Sequence, residues 1–304
     1  MGCPNHRGFL RMDTAALLAD LLTDGPYERS DAPFRLLEAK GPDAGEFLHR
    51  LCTQDVLGLG DGALRPAAFL DAKGKLVATC LVARLGDAFW LEVASEQADR
   101  LAALLERYHF TEKLSMRLLP VAACHERVQA EVGEAAGAAL QAAGALVVRV
   151  VRCGVQFERR HGGAVATVAR ALTADRAECL RMLAGFVRVG VDTEPTTLAL
   201  EADLDDHIST TKGCYTGQEI VARIHTYGHT NRKLCRLWLA AGEAITAPQP
   251  LHELEDQLAV GRVMHAVPVP GHSGRLGLGF LPKDFHAVGS KLALADGSAC
   301  EVLG

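Results

Sequence analysis

The chain has 304 residues, 49% hydrophobic and 23% charged, with 32 Lys and Arg against 37 Asp and Glu and a formal net charge of -5. That length predicts about two domains around a substantial core, and the composition excludes a disordered chain and a strongly basic nucleic-acid binder. Nine scattered cysteines without a C-x-x-C pair exclude a disulfide framework and a zinc knuckle, while the absence of any apolar run of about 18 residues and of an apolar core among Arg7, Arg11, Asp13 and Asp20 predicts a cytoplasmic protein with no membrane span.

Asp13 is placed to cap a short helix over 14–22, with Leu17, Leu18, Leu21 and Leu22 in one apolar stripe. After Gly25-Pro26, a strand at 34–38 leads into a helix with Pro42 at its start and Phe47, Leu48 and Leu51 facing inward. Strands at 64–70, 76–85 and 88–93 are separated by Asp71-Ala72-Lys73-Gly74 and Gly86-Asp87; a helix capped by Ser95 then runs to about residue 108, before a strand at 114–119. This order resembles a ferredoxin-like split unit. His125-Glu126-Arg127-Val128-Gln129 lacks the second histidine of a zinc-protease helix and reads as a surface segment.

A second pass of the same kind is predicted. It comprises a helix over 135–143 stopped by Gly144, strands at 146–152 and 155–159, a turn at His161-Gly162-Gly163 with a return strand at 164–168, and a helix from Thr173 to about 183. The stretch 191–208 carries Asp192, Glu194, Glu201, Asp203, Asp205 and Asp206 without a lysine or arginine, a pattern that ordinarily marks a solvated face. From 234 onward, short strands at 234–239, 259–265, 276–281, 290–294 and 299–302 predict a small antiparallel barrel. Gly274, Gly277 and Gly279 run into Pro282 and read as barrel turns, not as a dinucleotide loop. The expected fold is α+β: two ferredoxin-like halves around a central pocket over 1–232, with subdomains at about 25–120 and 121–232, and a C-terminal barrel over 233–304.

The densest run of chemically capable side chains lies between Lys212 and Arg236. Thr216 and Glu219 have capping-box spacing, and Ile220, Val221 and Ile224 have helical spacing, so a helix is predicted from Gly217 to Gly228. Cys214 and Tyr215 then stand just outside a helix N-terminus, where free N–H groups and the dipole favour an anion. Lys212 adds a cation, and both effects favour a thiolate at Cys214. Without the cap, the lysine and the flanking glycines, a small buried cysteine would be the default reading. Glu219 and Arg223 form an i,i+4 pair. Lys212, Arg223, Arg232, Lys233 and Arg236, interleaved with Tyr215 and Tyr227, make a basic patch suited to RNA phosphates or to a small anion, and the acidic chain favours the small anion. His225 and His229 flank Gly228 without further ligands, so no metal site is expected.

The run Lys212-Gly213-Cys214-Tyr215-Thr216-Gly217-Gln218-Glu219, continued by Ala222-Arg223 and Arg232-Lys233-Leu234, resembles the signature of the YgfZ-type folate-binding proteins, which are related to the T-protein (aminomethyltransferase) of the glycine cleavage system. A looser similarity covers Lys40-Gly41-Pro42-Asp43, Phe47-Leu48, Thr53-Gln54-Asp55-Val56 and Leu70-Asp71-Ala72-Lys73-Gly74-Lys75. The resemblance extends from about residue 34 to the end. It implies a T-protein-like fold closed by the barrel, tetrahydrofolate or a one-carbon derivative in a central cavity, and Cys214 as a functional thiol near its edge. Lys212, Tyr215, Gln218, Glu219 and Arg223, with Glu201 of the acidic loop, are the implied ligand contacts. The implied role is support of iron-sulfur cluster assembly or repair, and through it of tRNA modification. The implied partners are iron-sulfur enzymes or cluster-assembly proteins, with no stable nucleic-acid complex.

The alternative is a folate-dependent aminomethyltransferase, whose chemistry needs a carboxylate at the folate. In the T-protein that aspartate follows a Gly-Gly-Ile type turn; here Gly74-Lys75-Leu76-Val77-Ala78-Thr79-Cys80 puts Thr79 or a neighbour there, with no acid between Asp71 and Asp87. The family's Arg-x-Glu-x-Gly run is present as Arg188-Val189-Gly190, without its glutamate. A thiol hydrolase using Cys214 with His225 or His229 lacks an orienting third group.

Overall fold

The computed structural model describes residues 13–131, 137–142, 144–163, 169–228, 230–255 and 257–303. The chain opens with α1 (Thr14–Leu22), whose N-terminus is closed by Asp13 accepting from the Ala15 N–H at 3.0 Å, and β1 (Tyr27–Arg29). Then follow β2 (Phe34–Lys40), α2 (Ala44–Leu51), β3 (Leu64–Leu70), β4 (Leu76–Leu85), β5 (Ala88–Ala94), α3 (Ser95–Arg107) and β6 (Ser115–Leu118). β2 to β6 form an antiparallel sheet in the order β3-β4-β5-β2-β6. One face of it is covered by α2 and α3, because Phe47, Leu48, Leu51, Leu101 and Leu105 recur at helical spacing and bury against Phe69, Val82 and Leu91. The residue before α3 is Ala94 and makes no side-chain cap, so Ser95 begins that helix without capping it.

The second half contains β7 (Cys124–Ala130), β8 (Ala138–Ala142), β9 (Ala145–Arg152), β10 (Val155–His161), β11 (Arg170–Ala171) and α4 (Ala174–Leu183), the last capped by Thr173 accepting from Arg176 N. Its sheet has the order β11-β1-β7-β10-β9-β8, so β1 belongs to this half although it precedes the other. Two expectations fail here. The segment 125–129 is not a surface segment but the centre of β7, where alternation buries Glu126 and Val128 on one face. The helix predicted over 135–143 is instead β8, paired with β9 from Ala138↔Arg149 to Ala142↔Ala145; of that span, 135, 136 and 143 lie outside the described residues. An alanine-rich stretch has helical preference, but the cross-strand pairing with the valine-rich β9 outweighs it. The return strand predicted at 164–168 lies outside the described residues.

A helix α5 (Gln218–Tyr227) leads into the barrel, made of β12 (Arg232–Leu239), β13 (Gln249–His252), β14 (Ala259–Pro268), β15 (Arg275–Pro282), β16 (Lys291–Leu294) and β17 (Ala299–Val302). These strands close in the order β12-β15-β14-β13-β16-β17 around Leu237, Leu251, Val263, Leu281, Leu292 and Val302. Five of the six were anticipated; β13 is short and carries Pro250, which weakens its strand signal. The architecture is α+β with a C-terminal antiparallel barrel, as the sequence predicts. Leu36, Leu81, Val128, Phe157, Leu180 and Phe280 belong to one continuous core that joins both sheets, α4 and the barrel. No helix among the described residues is long and apolar enough to cross a membrane.

Candidate functional site

Three stretches far apart in sequence meet at one corner of the first sheet. Thr53 lies beyond the C-terminus of α2; its hydroxyl donates to the His207 carbonyl at 2.6 Å and accepts from Ala68 N at 3.0 Å. Gln54 Nε2 donates to the carbonyls of Pro66 and Asp206 at 3.1 and 3.0 Å, and Ser209 N donates to the Thr53 carbonyl at 2.9 Å. These bonds fasten the segment 206–209 to β3. The next residues carry the motif. Lys212 Nζ donates to the carbonyls of His49, Cys52 (2.8 Å) and Gln54 (3.1 Å), at the negative end of α2, and lies 5.1 Å from the Tyr215 ring centre. Burial lowers the pKa of this lysine despite the opposing pull of Cys52 and Asp55.

The Lys212 ammonium is thus committed to backbone carbonyls, and its expected service to Cys214 is corrected accordingly. The capping box is corrected too: Gly217 precedes α5 in a left-handed conformation with no side-chain cap, and Glu219 instead pairs with Arg223 at 3.6 Å on an exposed face. Gln218 Oε1 accepts from Tyr215 N at 3.3 Å. Tyr215 is buried with Leu70, Leu76, Leu200, Leu204 and Val221, and burial pushes its hydroxyl up to about 12. Thr216 N donates to the Arg50 carbonyl at 3.2 Å. Between these fixed neighbours Cys214 is exposed with a free thiol.

A cavity of about 70 Å³ lies between the two sheets and α4. Its aromatic lining is Phe34, Phe157 and Phe186, the last two edge-to-face at 5.4 Å. Its polar lining is a network of ion pairs. Arg159 on β10 binds Glu92 of β5 through Nη1 and Glu126 of β7 through Nε at 3.0 Å, with its guanidinium 4.0 Å over Phe34. Arg29 Nε holds the other oxygen of Glu126 at 2.7 Å, and His161 Nε2 lies 2.6 Å from Glu92 Oε1. Burial pushes the Glu92 carboxyl up, but Arg159 and His161 outweigh it and hold it below the usual carboxylate range. On the α4 side, Glu178 pairs with Arg181 at 2.8 Å and Arg188 at 3.1 Å, and His265 of the barrel stands 3.4 Å away. Thr79 lines the same cavity, with its hydroxyl donating to the Val187 carbonyl at 3.2 Å.

The sequence-predicted residues fall in three places. Lys212, Cys214, Tyr215 and Gln218 share the motif corner; Glu219 and Arg223 lie on the outer face of α5. Glu201 sits in the acidic loop, where it accepts from Leu198 N at 3.1 Å and pairs with Arg232 at 3.2 Å. None of the seven lines the central cavity. The acidic stretch is more than a solvated face: Asp192 is fully buried against Arg181 at 2.6 Å, and Glu194 holds both Arg232 and Arg262 at 2.6 Å. The basic patch is dispersed likewise, since Lys233 pairs with Asp203 at 2.7 Å and Arg236 Nε donates to the Met182 carbonyl at 3.1 Å. The residues that sequence reasoning missed are the cavity's own: Glu92, Glu126, Arg159, Glu178 and Arg29. The signal was the period-two pattern of β10, which places Arg159 on the same face as Val155 and Phe157.

Residues 32–144 match the GCVT N-terminal domain family. The chain is 27% identical over 272 residues to the iron-sulfur cluster assembly factor IBA57 homolog, mitochondrial, of Phaeosphaeria nodorum, covering 79% of this chain and 63% of the relative, so it spans less than two thirds of that protein's length. It is 28% identical over 259 residues to the tRNA-modifying protein YgfZ of Cronobacter sakazakii, covering 75% and 76% of the two chains. In fold it is similar to the glycine cleavage system aminomethyltransferase T from Bartonella henselae, with a TM-score of 0.74 and 18% identity over 96% of this chain and 88% of that one. The motif corner, the matched N-terminal domain and the similarity to these relatives support a YgfZ-type protein related to the glycine cleavage aminomethyltransferase family.

Proposed function

We propose that this protein binds tetrahydrofolate or a one-carbon derivative in the central cavity and supports the assembly or repair of iron-sulfur clusters in other proteins, with Cys214 as the thiol that faces them. The residues present fit such a ligand. Phe34, Phe157 and Phe186 offer apolar walls to a flat heteroaromatic ring, and Thr79 and Gln97 offer polar groups. Arg29 and Arg188, whose side chains are 24% and 26% exposed, can take the carboxylates of a glutamate tail only by sharing or exchanging their present pairing with Glu126, Glu96 and Glu178. The names of the relatives, a cluster assembly factor and a tRNA-modifying protein, support the same direction. Iron-sulfur enzymes or cluster-assembly proteins are the proposed partners, and the free cysteines suit a reducing compartment such as the cytoplasm.

One observation carries the choice against aminomethyl transfer. Each carboxylate lining the cavity, Glu92, Glu126 and Glu178, is already held by arginine, and Thr79 cannot carry the negative charge that cationic intermediates demand. Calorimetric titration with tetrahydrofolate tests the binding. Saturable binding that disappears when Thr79→Trp fills the cavity of a folded protein is expected, and no heat of binding in the parent protein would end the folate reading. Turnover of an aminomethyl-lipoyl carrier to methylene-tetrahydrofolate would restore the transferase. Cys214→Ala is expected to keep folate binding but to lose rescue of iron-sulfur enzyme activity in a strain lacking its own copy; full rescue would make the thiol incidental.

A further inference from the structure

A second, open cleft of about 510 Å³ shares Phe186 and Val187 with the central cavity and none of its other lining residues. Its floor is apolar, formed by Met182, Leu234, Leu278 and Leu303, and its charged lining is mainly cationic: Arg152, Lys233 and Arg236 against the single carboxylate of Asp203, with His286 beside them. Asp203 is occupied by Lys233 at 2.7 Å.

The two arginines converge. A terminal Nη2 of each lies within 3.6 Å of the point where a Cβ on Gly185 would stand. They are held there by different means. Arg152 lies 4.8 Å over the Phe186 ring and reaches Asp206 at 2.7 Å through Nη2, while its Nη1 is buried without a hydrogen-bond partner. Arg236 is held by its Nε on the Met182 carbonyl, and among the described residues no carboxylate pairs with it. Two guanidinium groups brought together without a shared acid repel each other. Their forks match an oxyanion, and a phosphate, with three oxygens and up to two charges, offers the pair more acceptors and more charge than the two oxygens and single charge of a carboxylate.

We infer that this cleft is a second ligand site, independent of the folate reading, which takes a small molecule bearing a phosphate group on an apolar body. Phenyl phosphate is the probe, titrated calorimetrically at constant ionic strength. Saturable binding is expected, weakened about tenfold or more in Arg236→Gln and much weaker for benzoate. Absence of saturable binding, equal affinity for benzoate, or equal affinity in Arg236→Gln would each overturn the assignment. A measurement on the unaltered protein guards against a misfolded variant: Cys153 is exposed on this cleft, and Cys214 is exposed at the motif corner. Phenyl phosphate should slow iodoacetamide modification of Cys153 and leave that of Cys214 unchanged; equal rates at Cys153 with and without the probe would count against the site. Tetrahydrofolate affinity in Arg236→Gln should stay within about twofold of the parent value. A loss parallel to that of phenyl phosphate would make the cleft the outer end of the folate pocket and end its standing as a separate site.

Discussion

Gly217 and the carbonyl oxygen of Asp71 stand so close that a Cβ on the glycine would lie 2.7 Å from that oxygen. The approach is reciprocal, since a Cβ on Gly74 would lie 2.7 Å from the Cβ of Ile220 in α5. The turn after β3 and the turn before α5 are therefore interlocked through two glycines, and Gly217 also has φ +80°, a left-handed conformation. Gly217→Ala is expected to destabilise the protein by about 1–3 kcal/mol, read as a lowered urea midpoint. A change under about 0.5 kcal/mol, the ordinary surface value, would mean that the turns part freely.

Lys212→Met is expected to cost about 1–3 kcal/mol or more, because it leaves buried carbonyls at the end of α2 without their donor. Lys212→Arg should not restore the loss, since a planar fork cannot replace a compact ammonium among three converging carbonyls. Equal urea midpoints for Lys212→Met and the parent would show that those carbonyls are satisfied without the lysine.

Arg159→Met leaves Glu92 and Glu126 buried and short of their shared cation. The expected loss is about 3–5 kcal/mol, and Arg159→Met with Glu92→Gln should lose less than the sum of the single changes, because the pair acts as a unit. Strict additivity in urea denaturation would sever the proposed coupling.

The pH dependence follows from Glu178. Burial pushes its carboxyl up, but His265, Arg181 and Arg188 outweigh this and hold it well below its ordinary 4.5. A group depressed on folding contributes stability above its unfolded value, and the contribution is lost as pH falls from about 4.5 towards the folded value. The urea midpoint of the parent protein should therefore drop between about pH 5 and pH 3, and Glu178→Gln should drop less over the same interval. Parallel curves would refute the assignment.

Much of the fold was legible because local patterns agreed with their tertiary settings. Asp13 and Thr173 do cap α1 and α4, and the barrel strands announce themselves as short apolar runs between Gly, Pro and Asp. β8 was not legible, since its alanines prefer a helix and only the neighbouring β9 decides otherwise. The cavity network was hidden for a different reason. Glu92, Glu126 and Arg159 come from three separate strands, and nothing local tells a charged residue on a strand that its partner lies 67 positions away. The motif corner was readable as a cluster, but the direction in which Lys212 points depends on the end of α2, which spacing within the motif does not reveal.

The exposed thiol of Cys214 has a mechanical consequence. Two residues before it the chain is bolted to the end of α2, and one residue after it Tyr215 is sunk in the core. The sulfur stands on a short bridge between two anchors, so the backbone that carries it is held from both sides. A molecule that engages it must bring its reactive atom to a fixed address, so recognition rests on the visitor's shape, while the ordering of this segment has already been done in folding and adds little to the cost of the encounter.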